Sequence, residues 1–256
     1  MPTQLDPAAH LEGFRSAMVA FVRYADRAGL QASVPTTPDW TVRQLIAHQG
    51  MVHRWAAAIL KGGKGDPDAY EREGRSASDP VEWLRDGAIE LATAITLAPD
   101  DLDVLVFLND APPAKRFWTR RQCHETTMHA VDALSAALGR YPKAADTWIT
   151  DEIALDGIDE LLTGFMTRKK ARLRAEEPTT IGVCPEGSER AWVMTVSDKP
   201  AVTEVVATDD ARCSRSDVRL EGSPVALYLT LWNRSDEVTA VSDDLDFWRE
   251  GSQIRW

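Results

Sequence analysis

The sequence predicts an α+β protein, in which a four-helix bundle (residues 1–143) is followed by a small α/β domain (residues 144–256). Two observations support this prediction. Four stretches of the first half repeat apolar residues at helical spacing, and from Asp146 onward short runs of β-branched and apolar residues alternate with turn sequences. A chain of 256 residues is long enough for two ordinary domains.

The bundle helices are predicted from their apolar stripes and their first residues. They cover about residues 8–30, 41–60, 80–97 and 116–138. The second helix begins with a capping box formed by Thr41 and Gln44, and the third begins with Asp79 as the cap and Pro80 at the first helical position. Residues 61–78 are rich in glycine, aspartate and charge, so they are predicted to form a long loop.

The second domain is predicted to begin with a helix over residues 151–173. Strands are predicted where β-branched and apolar runs lie between turn sequences. The predicted strands cover residues 179–184, 191–196, 202–207, 218–222 and 237–241, and two further helices cover residues 225–232 and 244–252. Strands with flanking helices in a segment of this length indicate a small α/β domain.

The net charge and the cysteine content of the chain limit the partners that it can bind and the compartment in which it works. Asp and Glu total 40 and Lys and Arg total 29, giving a net charge of −11, which disfavours binding to nucleic acid or to an anionic membrane. No signal peptide or membrane-spanning segment is apparent. The three cysteines are scattered and odd in number, which is typical of a reduced protein. We therefore expect a cytoplasmic protein that binds neither nucleic acid nor an anionic membrane, and we expect it to be a monomer or a homodimer.

A candidate metal site is indicated by three residues of two helices. Glu125 and His129 are four residues apart and share one face of the fourth helix. His48 occupies a position on the apolar stripe of the second helix where leucine or valine is usual. Because sites in helix bundles are built from inward-facing side chains, these three residues can meet. Asp132, on the same side as His129, is either a solvated acid or an acceptor for the second ring N–H of a ligating histidine.

The donor set indicates the kind of ion. Two histidines and one glutamate with an open position are typical of a catalytic rather than a structural zinc site. The absence of a thiolate ligand leaves Ni²⁺, Co²⁺ and Fe²⁺ compatible with the same donors. The zinc-protease motif His-Glu-x-x-His is excluded by register, because its second histidine would fall at Met128.

Two segments resemble those of a known family. The stretch from Pro38 to His48 and the stretch from Arg121 to Asp132 are similar to the mycothiol-dependent maleylpyruvate isomerase family of the DinB/YfiT-like metalloproteins. Residues 229–234, Leu-Thr-Leu-Trp-Asn-Arg, resemble a recurrent Leu-x-Leu-Trp-Gly-Arg segment of that family. The resemblance covers nearly the whole chain, with both halves in order.

The resemblance implies a DinB-like four-helix bundle joined to a small α/β domain similar to sterol carrier proteins. It implies that His48, Glu125 and His129 hold a catalytic zinc, that mycothiol is the thiol cosubstrate, and that the reaction is of the maleylpyruvate-to-fumarylpyruvate type. Arg234 matches the terminal arginine of the recurrent segment and is the candidate for orienting an acidic substrate. Asn233 replaces the usual glycine and Gln49 replaces a more common apolar residue; both are expected to bear on the pocket.

Three functions stay open at this point. The first is a mycothiol-dependent isomerase of an enoyl acid such as maleylpyruvate. The second is a mycothiol S-transferase that acts on electrophilic small molecules. The third is a metal- or thiol-binding protein without turnover. The first two differ in whether the thiol is consumed, and the third predicts metal without activity on any electrophile.

Overall fold

The structure is a computed structural model that describes residues 5–109, 111–239 and 245–254. The chain divides into two compact units. The helical unit comprises Leu5–Phe107 and Ala111–Pro142, and the second unit contains the described residues from Lys143 onward. The α+β class is confirmed, because the first unit is helical and the second contains a four-stranded sheet.

The helical unit has five helices rather than the predicted four. They are α1 (Pro7–Ala28), α2 (Val42–Leu60), α3 (Pro67–Ser76), α4 (Pro80–Leu97) and α5 (Ala114–Leu138). Helix α3 lies in the segment predicted to be a long loop, so that prediction was wrong. Asp66 caps α3 by accepting a hydrogen bond from the amide of Ala69, and Pro67 occupies its first turn. Helix α1 packs against α5, while α2 contacts α3, α4 and α5.

Three glycines allow α2, α3 and α4 to approach one another closely around Trp83 and Arg54. A Cβ atom at Gly50 would lie 2.1 Å from Cζ3 of Trp83, and one at Gly74 would lie 2.6 Å from the same indole. A Cβ atom at Gly87 would lie 2.4 Å from a guanidinium nitrogen of Arg54. The guanidinium of Arg54 in turn stacks on Trp83, 3.8 Å from the ring centroid.

The second unit combines short helices with a mixed sheet. Its helices are α6 (Asp151–Asp159), α7 (Ala211–Ser214), α8 (Pro224–Leu231) and α9 (Leu245–Gly251), and its strands are β1 (Thr179–Pro185), β2 (Arg190–Val196), β3 (Val202–Ala207) and β4 (Val218–Gly222). The strand order is β3-β2-β1-β4. β1 is antiparallel to β2 and parallel to β4, and β2 is antiparallel to β3.

One prediction for this unit is wrong, and another lies partly outside the described residues. The helix predicted over residues 151–173 continues from α6 only as a π-helical segment, Glu160–Phe165, so it ends earlier than predicted. The strand predicted over residues 237–241 lies partly outside the described residues, and its described part, residues 237–239, is not in a strand. Among the described residues, no helix is long and apolar enough to cross a bilayer.

A disulfide joins Cys184 of β1 to Cys213 of α7, which corrects the expectation that the cysteines are reduced. The two Cα atoms are 6.7 Å apart, and the cysteines are separated by 29 positions in the sequence. Both residues are buried, in a small cluster with Ala191, Val193 and Val206. The pair was missed because nothing in a scattered cysteine pattern reports which residues meet in the fold.

Asn233 adopts a left-handed backbone conformation just after α8, with φ of 59°. The amide of Arg234 donates to the carbonyl of Leu229 at 2.8 Å, and the amide of Asn233 donates to the carbonyl of Thr230 at 2.9 Å. This pair of hydrogen bonds is the Schellman motif that ends many helices, and its left-handed position is usually glycine and sometimes asparagine. The glycine-to-asparagine difference noted in the sequence therefore concerns this turn.

We expect Asn233→Ala to lower the free energy of unfolding by about 1–2 kcal/mol, because alanine pays the full steric cost of the left-handed conformation. Asn233→Gly is the matched control, since glycine adopts that conformation freely. Urea denaturation of the three proteins measures the difference. Equal stability of the alanine and glycine variants would contradict the prediction.

Candidate metal centre

The two helices that carry the candidate ligands are fixed at their ends by local sequence. α2 begins with the predicted capping box, in which the Thr41 side chain accepts from the Gln44 amide and the Gln44 side chain accepts from the Thr41 amide. α5 follows Pro113 and ends at Leu138, and the next residue, Gly139, is left-handed. His48 lies in the second turn of α2, and the α5 ligands lie near the middle of that helix.

The structure brings His48, Glu125 and His129 together. One potential ligand atom from each residue lies within 4.8 Å of the other two. Nε2 of His129 is 3.3 Å from Oε1 of Glu125. The rings of His48 and His129 have centroids 5.1 Å apart and meet edge to face, with an interplanar angle of 74°. These side chains therefore converge on one point from two helices.

Asp132 orients His129. Nδ1 of His129 donates to Oδ2 of Asp132 at 2.9 Å, which leaves Nε2 directed at Glu125. The other carboxylate oxygen, Oδ1, accepts from the Thr36 hydroxyl at 2.6 Å, and this hydroxyl is 2.9 Å from that of Ser135. A carboxylate that fixes the far nitrogen of a histidine is typical of metal sites. The sequence left open whether Asp132 is a solvated surface acid. It is not, because its side chain is fully buried.

The loop between α1 and α2 lies over the two histidines. Besides Thr36, it contributes the half-buried Trp40. The Trp40 ring centroid is 4.8 Å from that of His48 and 6.0 Å from that of His129, and the second pair is stacked with an interplanar angle of 27°. The indole thus packs against both histidine rings.

Arg121 pairs with Glu125 one helical turn away. A terminal guanidinium nitrogen of Arg121 donates to Oε2 of Glu125 at 2.8 Å. This pair was not predicted from the sequence, although the i,i+4 spacing of Arg121 and Glu125 on a helix is a signal of such a pair.

The electrostatics of the cluster suit a cation. Burial, and secondarily the charge of His129, lower the pKa of His48 to about 4, so its imidazole is neutral at pH 7 with a lone pair to donate. Although burial opposes ionisation of Glu125, Arg121 and His129 hold its pKa below the usual range. Burial likewise opposes the charged form of His129, but hydrogen bonds to Asp132 and Glu125 raise its pKa to about 9. A divalent ion would replace that proton.

The residues therefore fit a divalent metal. Two ligands at about 2.0–2.1 Å from one tetrahedral ion are separated by about 3.3–3.4 Å, close to the distance between Nε2 of His129 and Oε1 of Glu125. The set contains two imidazoles, which bind metals in their neutral form, one carboxylate, and one acid that orients a histidine. Zn²⁺ and similar divalent ions are commonly bound by such ligands.

A second polar group lies beside the cluster and is separate from it. Nε2 of Gln49 is 2.7 Å from Nε2 of His53 and donates to the Thr126 hydroxyl at 3.0 Å, and all three side chains are buried. Gln49 thus joins α2 to α5 through hydrogen bonds, which explains a polar residue where an apolar one was expected. His53 is outside the candidate ligand set.

Arg234 lies in the second unit, directly after the left-handed Asn233. Its guanidinium donates to the carbonyl of Trp232 at 2.9 Å, and the side chain is partly exposed. The Schellman motif after α8 fixes the position of its backbone.

Comparison with known proteins agrees with this architecture. Residues 11–134 match the family described as the mycothiol maleylpyruvate isomerase N-terminal domain, and residues 152–248 match the MDMPI C-terminal domain. No match was found among curated proteins. Among solved structures, the fold resembles crystal structures of the mycothiol-dependent maleylpyruvate isomerase and of a histidine-to-alanine mutant of it. Each has a TM-score of 0.64 and 17% sequence identity, over 95% of this chain and 97% of the other.

The two family matches together span most of the sequence, in the same order as the two units. The similarity to the solved structures extends over both units and establishes the fold. The chain therefore belongs to the mycothiol-dependent maleylpyruvate isomerase family of enzymes.

Proposed function

We propose that this protein is a divalent-metal enzyme that uses mycothiol to isomerise an electrophilic enoyl acid of the maleylpyruvate type. The observation that carries the proposal is the convergence of His48, Glu125 and His129, with His129 oriented by Asp132. Zn²⁺ is the expected ion, and Ni²⁺, Co²⁺ and Fe²⁺ suit the same donors. The family membership supports mycothiol as the thiol.

Residues of this chain would bind the ion and surround it. His48, Glu125 and His129 would hold the ion, and Asp132 keeps Nε2 of His129 facing it. When bound, a divalent ion with an open position takes a thiol as its thiolate and so supplies a nucleophile at neutral pH. Trp40 packs against both histidine rings beside the site.

The proposed reaction returns the thiol unchanged. The mycothiol sulfur forms a bond to one carbon of the electron-poor double bond, whose electrons move into the adjacent carbonyl. The former double bond is then single and rotates. The electrons return, the carbon–sulfur bond breaks, and the trans isomer leaves. An acidic substrate needs a cationic partner that orients it, and Arg234 is our candidate, because a guanidinium binds a carboxylate through two hydrogen bonds.

An assay with mycothiol, maleylpyruvate and a panel of other electrophiles tests this function. Isomer formation and free thiol are followed in the same reaction, before and after removal of metal with a chelator. We expect isomerisation at constant thiol concentration and its loss on chelation. Stoichiometric thiol consumption would instead identify a mycothiol S-transferase. Metal binding without turnover of any electrophile would identify a non-catalytic binding protein.

We expect Arg234→Ala to keep its metal but to turn over an acidic substrate about 10- to 100-fold more slowly in kcat/KM, since a charge-assisted bidentate contact is lost. Arg234→Lys is the matched control. It keeps the positive charge but lacks the planar guanidinium, so its kcat/KM should lie between those of the wild type and Arg234→Ala. Steady-state kinetics and metal analysis of the same samples measure both effects. Unchanged kinetics in Arg234→Ala would remove this residue from the site.

The proposed partners are small: an electrophilic acid and a low-molecular-weight thiol. The net charge of −11 argues against nucleic acid and against anionic membranes. We propose a cytoplasmic location, where such a thiol is kept reduced, and a monomer or homodimer as the working form.

A further inference from the structure

We infer that Arg121 is a positioning residue of the metal centre: it holds Oε2 of Glu125, so that Glu125 offers only Oε1 to the ion and a coordination position stays open for the thiol. This inference rests on the proposed metal site. A terminal guanidinium nitrogen of Arg121 is 2.8 Å from Oε2 of Glu125, and the two side chains are only 2% and 8% exposed.

The two oxygens of Glu125 have different partners. Oε2 accepts from Arg121, whereas Oε1 is 3.3 Å from Nε2 of His129, the nitrogen that would bind the ion. If Glu125 bound an ion through both oxygens, Oε2 would have to share its lone pairs between the ion and the guanidinium of Arg121. The ion and the guanidinium, both positive, would then approach the same buried oxygen, which disfavours binding through Oε2 and favours binding through Oε1 alone.

The number of oxygens that Glu125 donates decides how many positions are free. His48, His129 and one oxygen of Glu125 make three ligands, and a tetrahedral ion then has one position for an exchangeable molecule. A second oxygen would fill that position or raise the coordination number. An arginine at this place therefore preserves the reactive position without contacting the substrate.

Arginine suits this role better than lysine. Its guanidinium is planar and permanently charged, and it directs several N–H groups in fixed directions, whereas a lysine ammonium is a compact, rotatable charge. The i,i+4 spacing places the guanidinium beside the Glu125 carboxylate along α5.

Co²⁺ binding followed by visible absorption tests the inference apart from activity. Co²⁺ replaces Zn²⁺ in similar sites, and its visible bands weaken as the coordination number rises from four to five. We expect the wild type to show strong four-coordinate bands. For Arg121→Gln we expect about 10- to 100-fold weaker Co²⁺ binding, as for other residues that support a metal ligand, together with weaker bands.

Two further variants keep the test decisive. Arg121→Lys retains a positive charge, should fold even where Arg121→Gln does not, and should show the same changes to a smaller degree. Arg120→Lys is the matched control, since Arg120 is an equally buried arginine of the same helix and should keep the wild-type spectrum.

Wild-type Co²⁺ affinity and spectrum in the folded Arg121 variants would overturn the inference alone. Equal changes in Arg120→Lys and Arg121→Lys would overturn it too, because the effect would then belong to any buried arginine. A wild-type protein that takes up no Co²⁺ would overturn the metal site and this inference with it.

Discussion

Replacing His129 or His48 by alanine is expected to reduce bound metal from about one ion per chain to almost none. Each variant leaves two of the three converging donors, and two donors hold a divalent ion far more weakly than three. Metal analysis of the purified proteins after dialysis measures the change. For His129→Ala we also expect lower stability, because Asp132 and Glu125 lose a buried partner.

His53→Gln is the matched control for that experiment. His53 is a buried histidine of α2, five positions after His48, and it hydrogen-bonds with Thr126 outside the candidate ligand set. Its replacement should reduce stability but leave the metal content unchanged. Full metal content in both alanine variants would contradict the ligand assignment, whereas loss from His53→Gln alone would place the site elsewhere.

Gly50→Ala is expected to destabilise the helical unit by about 3 kcal/mol, at the upper end of the range for overpacking a core. The new Cβ atom would lie 2.1 Å from Cζ3 of Trp83. The indole cannot move aside easily, because Arg54 stacks on its face and its Nε1 donates to Glu73 at 3.1 Å. Denaturant unfolding measures the change. The sign of the change in the free energy of unfolding is informative, because an unhindered glycine-to-alanine change in a helix stabilises the protein by about 1 kcal/mol.

A double-mutant cycle with Trp83→Leu separates the clash from other causes. Leucine gives the added methyl group room, so Gly50→Ala should cost much less in the Trp83→Leu background than in the wild type. An equal cost in both backgrounds would show that the strain does not come from Trp83. A more stable Gly50→Ala protein would contradict the close approach of α2 and α4.

The sequence was sufficient for most of the sheet and for the long helices. The first four predicted strands agree with β1–β4 to within a residue or so, because β-branched runs and turn sequences mark them clearly. Helix α3 was missed because nearly all its side chains are exposed or half-buried, so it has no apolar stripe. Its signal was Asp66 followed by Pro67, the same cap and proline that correctly located the start of α4.

The candidate ligands could be proposed from spacing within α5, from an unexpected histidine on α2 and from the family resemblance; their role as ligands stays a prediction. Of the residues that support them, Asp132 could be proposed from its spacing to His129, but Thr36 and Trp40 could not be found in this way. Thr36 and Asp132 are 96 positions apart, and no local pattern reports that their side chains meet. Trp40 precedes a helix cap, which explains its place in the chain but not its position over two histidine rings.

The Cys184–Cys213 disulfide has a consequence for any experiment with this enzyme. Closing a loop of this length, 29 positions, restricts the unfolded chain and stabilises the fold by roughly 3–4 kcal/mol in the chain-entropy treatment. The proposed cosubstrate is itself a reductant, so the compound added to start turnover can also open this cross-link. A slow decline of the reaction rate during an assay would then reflect loosening of the sheet domain rather than inhibition. In the double variant Cys184→Ser/Cys213→Ser, the rate of this decline should no longer depend on the thiol concentration.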